Sequence, residues 1–277
     1  MQIKHPAVFA AGYEPIVDRA GPDADMLMDF GILSLAAGQS WESAPGLERA
    51  FLLMSGKAHL VWEMPGGSGT HAVGGKAEVS RGSLFDENPT VLHVDRLMAV
   101  RVIAGSGGAE LSVSMTENEK TFPAKLYLPA ECRSEERGKG TMREASTRIV
   151  RTVFDDSDAP YSNLVIGEVV GAPGKWSSYP PHHHPQPEIY HYRFLPGQGF
   201  GLTAIGDRAY MLTDRDTILI RDTEDHPQVT APGYAMWYLW IIRHLEADRY
   251  ITPCFTEAHK WVAAPDAAIW LPPSERT

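Results

Sequence analysis

Apolar residues along this chain fall into short runs that are separated by turn-forming residues. Four runs of the first half predict buried strands, at 30–36, 50–54, 58–63 and 98–103. Gly-, Ser- and Pro-rich segments predict turns between them, at 55–57, 65–69 and 106–108. Short strands with a turn every several residues are typical of an antiparallel β-sandwich or β-barrel.

The second half repeats this β character. Its apolar runs predict strands at 148–154, 163–170, 188–194, 200–205, 216–221 and 235–242. The stretch 129–147 is polar and charged and lacks a strand pattern, so it predicts a connection between domains, and 257–266 predicts one short helix. We therefore expect an all-β chain of two tandem antiparallel barrels, covering residues 1–135 and 136–277.

Composition narrows the function classes. The 277 residues carry a net charge of −10 and no strongly basic stretch, which argues against nucleic acid as a partner. An anionic substrate would therefore need a local Arg, Lys or metal ion to attract it. Two distant cysteines, Cys132 and Cys254, do not make a disulfide framework, and no apolar run approaches the roughly 20 residues that span a bilayer. We expect a cytoplasmic protein without a membrane partner.

The densest cluster of chemically active residues lies at 179–188, with the sequence YPPHHHPQPE. On a strand, alternate residues share a face, so His182 and His184 can meet one ion. Glu188 follows four residues later, and His226, after the strand at 216–221, is the best fourth ligand from a distant strand. Three imidazoles and one carboxylate suit zinc or manganese, with iron(II), cobalt or nickel as further possibilities.

A histidine run also has a simpler interpretation as a solvated surface tract, and His226 alone is more often a turn residue than a ligand. His183 is expected to face away from the ion. The same alternation places Glu188, Tyr190 and Tyr192 on one face of the next strand and Arg193 on the other. Glu188 and Tyr190 are the candidate catalytic residues. The candidate substrate-binding residues are Tyr192, Gln198 and Arg193.

These residues resemble the cupin pattern, in which HxH, a Glu and a Gly form the first motif and a His ends the second. Here the pattern falls on His182, His184, Glu188, Gly197 and His226. Further segments resemble the 5-deoxy-glucuronate isomerase family, bicupin enzymes of bacterial inositol catabolism, from about residue 30 to residue 262. They include LAAGQSWE at 35–42, ERGKGTMREASTRIV at 136–150, SSYPPHHH at 177–184 and HPQVTAPGYAMWYLW at 226–240.

The resemblance implies a bicupin fold, one divalent ion in the second barrel, a sugar-acid substrate and a homo-oligomer. It implies an aldose–ketose isomerase that converts 5-deoxy-glucuronate to 5-dehydro-2-deoxy-gluconate. This chain departs from the family pattern in its short Pro-Gln-Pro spacer between HxH and Glu188. Because cupins share a site but differ in chemistry, an iron(II) dioxygenase, an isomerase of another sugar acid and a non-catalytic binding protein stay open as alternatives.

Overall fold

The computed structural model describes residues 1–65, 74–221 and 223–276, and within them the regular structure is β-strand with a few 3₁₀ turns. The strands that begin in the first half are β1 (Gln2–Ile3), β2 (Gly12–Val17), β3 (Met28–Leu35), β4 (Ser40–Ser43), β5 (Glu48–Glu63), β6 (Gly74–Arg81), β7 (Val91–Val94), β8 (Ala99–Thr116) and β9 (Lys125–Tyr127). Within all the described residues, no helix is long and apolar enough to cross a membrane.

The strands of the second half follow without a long helical insertion. They are β10 (Arg133–Arg137), β11 (Arg148–Phe154), β12 (Leu164–Gly171), β13 (Trp176–Ser177), β14 (His182–His183), β15 (Glu188–Leu195), β16 (Phe200–Ile205), β17 (Arg208–Thr213), β18 (Thr217–Ile220), β19 (Gln228–Thr230), β20 (Ala235–Arg243) and β21 (Cys254–Phe255). The 3₁₀ turns span Ala24–Met26, Pro129–Glu131, Met142–Glu144, Lys260–Ala263 and Pro273–Glu275.

Every strand pairing in the described residues is antiparallel. The first half folds as one sheet in the order β2-β3-β8-β5-β7-β9, with β4 on β8 and β6 on β5. The second half forms a sheet β1-β18-β15-β20-β12-β11-β10, a facing sheet β13-β19-β16-β17 and the small pair β14-β21. The N-terminal strand β1 therefore belongs to the second sheet system, where Gln2 lies opposite Ile218.

Two turns predicted from glycine-rich segments are wrong. Segments 55–57 and 106–108 lie inside the long strands β5 and β8, where the pairing register shifts near Gly56. Gly56 has φ +86°, and a Cβ there would lie 2.2 Å from the backbone oxygen of Gly108. Glycine thus permits a bulge and a close strand approach, so the ladder bends without ending. Residues 66–69 of the third predicted turn lie outside the described part of the chain.

The connection predicted at 129–147 also contains a strand. β10 pairs with β11 in continuous register, from Arg133 opposite Thr152 to Arg137 opposite Arg148. Its five side chains are exposed and charged or polar, so the segment has no apolar alternation. Backbone pairing at the edge of a sheet, which leaves no mark in the hydrophobic pattern, is what makes it a strand.

Three apolar cores follow from the alternation of side chains along the strands. Leu33, Leu53 and Val113 belong to the core of the first half. Tyr190 and Tyr192 belong to the core inside the second half. The remaining core joins the two halves, and it includes Phe30, Ile32, Leu52, Phe154, Ile166, Ile189 and Trp237. Each half therefore buries both faces of its main sheet, one inside and one against its neighbour.

A buried ionic cluster crosses the same boundary. Arg81 of β6 makes two hydrogen bonds, of 2.6 and 2.8 Å, to the carboxylate of Glu168 on β12. Arg151 of β11 adds a third contact at 3.3 Å. All three side chains are at most 3% exposed. Paired charges at this depth fix how the two halves dock, because either partner alone would be an uncompensated buried charge.

Candidate metal centre and its cavity

The proposed ligands come together at one end of the second barrel. His182 lies on β14, which pairs with β21 so that His182 is opposite Phe255. His184 follows directly, and the Pro185–Pro187 segment leads into Glu188, the first residue of β15. His226 precedes β19 and reaches the cluster from the other sheet. The cluster therefore depends on the facing of two sheets.

The distances among these side chains are short enough for them to bind one shared metal ion. Potential ligand atoms of His184, Glu188 and His226 all lie within 4.8 Å of one another. Glu188 Oε2 is 3.1 Å from His184 Nε2 and 3.5 Å from His226 Nε2. His182 stands outside that set of three, but its ring centroid is 4.8 Å from that of His226. The three buried residues form the inner group, and half-buried His182 lies beside it.

The Nδ1 atoms of the three histidines share one arrangement. His182 Nδ1 donates to the carbonyl of Pro180 at 3.1 Å, and His184 Nδ1 donates to that of Gln186 at 3.0 Å. His226 Nδ1 donates to the carbonyl of Glu224 at 2.9 Å. A carbonyl partner holds the proton on Nδ1, which leaves the lone pair on Nε2 free to bind a metal.

One buried atom lacks a partner in this arrangement. His226 Nε2 is buried and makes no hydrogen bond with any residue that the structure describes. Unpaired buried polar atoms are costly, and they point to an ion or other ligand that satisfies them. The donor set of imidazole nitrogens and one carboxylate oxygen therefore fits a divalent transition ion, for which His182, His184, Glu188 and His226 are the ligands to test.

Burial shapes the acid–base character of the cluster. It lowers the pKa of His182 to about 3, with the neighbouring His226 as the next cause. Burial also lowers the pKa of His226, although the charge of Glu188 acts in the opposite direction. Both imidazoles are therefore neutral at physiological pH, the form that binds metal.

A cavity of about 210 Å³ opens next to the cluster. Its wall includes His182, His184 and Glu188 together with hydroxyl and guanidinium groups, from Tyr190, Tyr238, Tyr250, Ser177, Ser178, Arg137 and Arg148. Apolar side chains such as Val150, Val165 and Ile242 complete it. A small polar molecule with several oxygens and a negative charge matches such a wall.

The tyrosines of β15 lie on the predicted face but have different environments. Tyr190 lines the cavity, and within the described residues its hydroxyl has one long contact, 3.3 Å to Ser178 Oγ. Tyr192 lies deeper, and its hydroxyl donates to Gln228 Oε1 at 2.7 Å. Burial, followed by the charge of Glu188, raises the pKa of Tyr190 well above its usual value. Tyr190 is therefore a neutral hydroxyl free to contact a ligand.

Two candidate substrate-binding residues, Arg193 and Gln198, lie away from the cavity wall. Arg193 points to the other face of β15, where Nη2 donates to Glu110 at 2.8 Å and Nη1 donates to His191 Nε2 at 2.6 Å. Gln198 is exposed in the loop after β15, at the strand end opposite Glu188. Arg193 faces away because alternate residues of a strand point to opposite faces. Gln198 is far from Glu188 because the 8 residues of β15 separate the two ends of the strand.

A family model described as KduI/IolB family matches residues 2–262. The chain belongs to the KduI/IolB family. A 5-deoxy-glucuronate isomerase of Halalkalibacterium halodurans strain C-125 is 27% identical over 252 residues, which cover 85% of this chain and 87% of that protein. The resemblance inferred from the residues is confirmed at the level of this family.

Solved structures show the same fold at lower sequence identity. An IolB-like protein of Salmonella typhimurium LT2 matches with a TM-score of 0.78 and 22% identity over 93% of this chain and 97% of its own. Oxalate decarboxylase of Bacillus subtilis, with Mn(II) centres, matches with a TM-score of 0.60 and 11% identity over 89% and 76%. The predicted bicupin architecture is thus confirmed for this KduI/IolB family member.

Sequence reasoning missed several residues of the cavity wall. Arg137 and Arg148 stand in the segment 136–150, which had supported the family resemblance without being assigned a role. Tyr250 lies in a loop after β20, with its ring 4.8 Å from that of His184. Neither alternation nor motif spacing marks these positions, because they reach the cavity from a sheet edge and a loop.

Proposed function

We propose that this protein is a metal-dependent aldose–ketose isomerase that converts 5-deoxy-glucuronate to 5-dehydro-2-deoxy-gluconate. The observation that carries the proposal is the cluster of His184, Glu188 and His226 beside a polar cavity, in a chain of the KduI/IolB family. The curated relative from Halalkalibacterium halodurans carries this isomerase name. The pathway would be inositol catabolism.

The reaction moves one hydrogen from C2 of the aldose to C1 of the ketose and one proton from O2 to O1. A divalent ion held by His182, His184, Glu188 and His226 would supply Lewis-acid polarisation of the substrate oxygens. The tyrosine hydroxyl of Tyr190 is placed to hold or pass a proton at a substrate oxygen. Glu188 is the carboxylate nearest to the histidines and the candidate base.

The cavity wall also has an apolar side, formed by Trp240, Ile242 and Val165, which would exclude water from the reacting atoms.

The hydroxyl groups of the wall differ in how far they are already hydrogen-bonded. Ser177 Oγ and Tyr238 Oη pair with each other at 2.6 Å. A hydroxyl that is already paired is less available to the substrate. This arrangement favours Tyr190 over Tyr238 as the group that meets the reacting atoms.

The decisive experiment is an NMR time course in D₂O with the metal-loaded protein and 5-deoxy-glucuronate. A His182→Ala variant tests the ligand cluster, and a His59→Ala variant, which removes an exposed histidine of the first half, is the matched control. We expect ketose with deuterium at C1 from the wild type and the control, and none from His182→Ala. Chelation should abolish turnover, and metal addition should restore it.

Other outcomes separate the alternatives. Formation of ketose without deuterium would still support an isomerase, and would indicate either a hydride shift or a transferred proton that does not exchange with the solvent. Turnover that requires oxygen would replace the proposal with a dioxygenase, and binding without turnover would replace it with a sugar-acid-binding cupin. Absence of ketose from the metal-loaded wild type overturns the proposed reaction.

The same proposal includes the ion, the assembly and the cell compartment. Zinc or manganese is the preferred ion, with iron(II), cobalt or nickel behind them, and Mn(II) in the structurally similar oxalate decarboxylase supports manganese. We place the metal-carrying domain at 136–277 and an N-terminal domain at 1–135, in a homo-oligomeric cytoplasmic protein. Elemental analysis and light scattering of the purified protein test the ion and the assembly.

A further inference from the structure

Two arginines face each other on the wall of the cavity. Arg137 ends β10 and Arg148 begins β11, and the antiparallel register places these residues directly opposite one another. Both side chains line the same cavity as His182, His184 and Glu188. Like charges directly opposite in a ladder destabilise a sheet, and an anion bound between the two guanidinium groups would relieve that cost.

The guanidinium of Arg148 is buried without a carboxylate. The residue is 8% exposed, and Nη1 donates to the carbonyl and the hydroxyl of Ser146 at 2.8 and 3.0 Å. Its Nε is buried and has no hydrogen-bond partner in residues 1–65, 74–221 and 223–276. Within those same ranges no acidic side chain forms a salt bridge with Arg148, whereas Arg137 pairs with exposed Glu135.

The other buried arginines in the described residues have partners for their terminal nitrogens. Arg81 and Arg151 share Glu168, and Arg193 contacts Glu110. Arg49 has no carboxylate, but its Nη1 and Nη2 both donate to backbone carbonyls. The acidic residues on the cavity wall do not serve Arg148, because Asp155 pairs with Arg133 at 2.9 Å and Glu188 lies among the histidines. Buried charges are normally paired, so the free donors of Arg148 are the features of an anion site.

We propose that Arg148, supported by Arg137 across the ladder, forms the subsite that binds the carboxylate of the sugar-acid substrate. The inference rests on the proposed function and deepens it, since it assigns the group that selects an acid over a neutral sugar. It replaces Arg193 as the carboxylate anchor. It also explains how an anion enters a protein with a net charge of −10.

The test compares two substrates that differ at C6, 5-deoxy-glucuronate and the neutral alcohol 5-deoxy-glucose. In Arg148→Gln, kcat/KM for the acid should fall about 10- to 100-fold, mostly through KM, because charge-assisted hydrogen bonds are lost. The value for the alcohol should change by less than about threefold. Arg148→Lys should recover part of the preference for the acid. Arg101→Gln, an exposed arginine paired with Glu42, is the charge-matched control.

Equal losses for the acid and the alcohol would overturn the subsite and indicate a structural role for Arg148. If Arg148→Gln does not fold, Arg137→Gln, at an exposed position, should show the same acid-selective loss with a smaller amplitude. A wild type that isomerises neither substrate would refute the proposed reaction but not the subsite. In that case calorimetry with D-glucuronate and D-glucose decides, and equal affinities of the wild type for both overturn the inference.

Discussion

Glu188 Oε2 lies 3.5 Å from His226 Nε2, across the gap between the two facing sheets of the second half. The imidazole proton is held on Nδ1 by the Glu224 carbonyl, so Nε2 presents a lone pair towards the carboxylate. Two acceptors aimed at one point repel each other unless a cation lies between them. This contact is therefore the part of the structure that most directly calls for a metal ion.

Removal of His226 should take away the one candidate metal ligand that comes from the sheet β13-β19-β16-β17. We expect His226→Ala to lower the bound metal well below one ion per chain. We expect its activity to fall at least about 10²-fold, since Lewis-acid catalysis supplies several kcal/mol. Elemental analysis after dialysis and initial-rate assays check this. His59→Ala is the control, and full metal content with full activity in His226→Ala would contradict the ligand assignment.

The tyrosines of β15 offer a matched pair for the catalytic step. Tyr190→Phe removes a hydroxyl from the cavity wall and should reduce kcat by about 10²-fold with little change in KM. Tyr192→Phe leaves Gln228 Oε1 without its donor and should cost about 1–3 kcal/mol of stability with kcat largely retained. Steady-state kinetics and urea unfolding of both variants separate these effects. A kcat loss that is equal in the two variants would rule out a specific role for Tyr190.

The ionic cluster between the halves predicts a large effect on stability. Arg81→Met leaves Glu168 buried with the 3.3 Å contact from Arg151, so we expect a loss of about 3–5 kcal/mol. Arg101→Met removes an exposed pair with Glu42 and should cost at most about 1 kcal/mol. The free energy of unfolding from denaturant titrations is the measurement. Similar losses in both variants would show that the cluster adds nothing beyond a surface pair.

A buried histidine away from the ligand cluster predicts acid sensitivity. Burial, followed by the charge of Arg249, lowers the pKa of His244 to about 4, and its Nδ1 accepts the Tyr250 amide proton at 3.0 Å. A histidine in the unfolded chain has a pKa of about 6.5, so as the pH falls the unfolded chain binds the proton first. The stabilisation is complete above that pH and is lost as the pH falls towards 4.

The stability change attributable to His244 should not exceed about 3 kcal/mol over that range. Unfolding free energies at pH 7 and pH 5, in the presence of a chelator, check the effect in the wild type and in His244→Gln. The variant should lose less stability between the two pH values. An NMR titration that gives His244 a pKa near 6.5 in the folded protein would refute the prediction.

The hydrophobic pattern determined the class of fold and the positions of the central strands. The runs at 148–154, 163–170 and 188–194 correspond to β11, β12 and β15 within about one residue. These strands have apolar side chains on both faces, because one face lies inside a barrel and the other packs against the other half. Strong burial leaves a strong signal in sequence, so such strands are predictable.

Local spacing also determined the first three candidate ligands and the family. His182, His184 and Glu188 are close in sequence, and a strand with period two brings short-range neighbours together. His226 was the fourth candidate from its place after a predicted strand, and tertiary structure brings it to the cluster from the opposite sheet. Tertiary structure also decided which residues line the cavity beside the cluster, with Arg148 on the strand next to the edge of the main sheet and Tyr250 in a loop.

Tertiary structure also decided which arginine side chains face the cavity. Arg193, next to the cupin motif, is turned by alternation towards Glu110 in the first half, while Arg148, 34 residues before the first ligand, faces the cavity. Sequence alone contains the strand period but not the register between strands or the packing of sheets. Those depend on long-range contacts, and they determine which charged group faces the cavity.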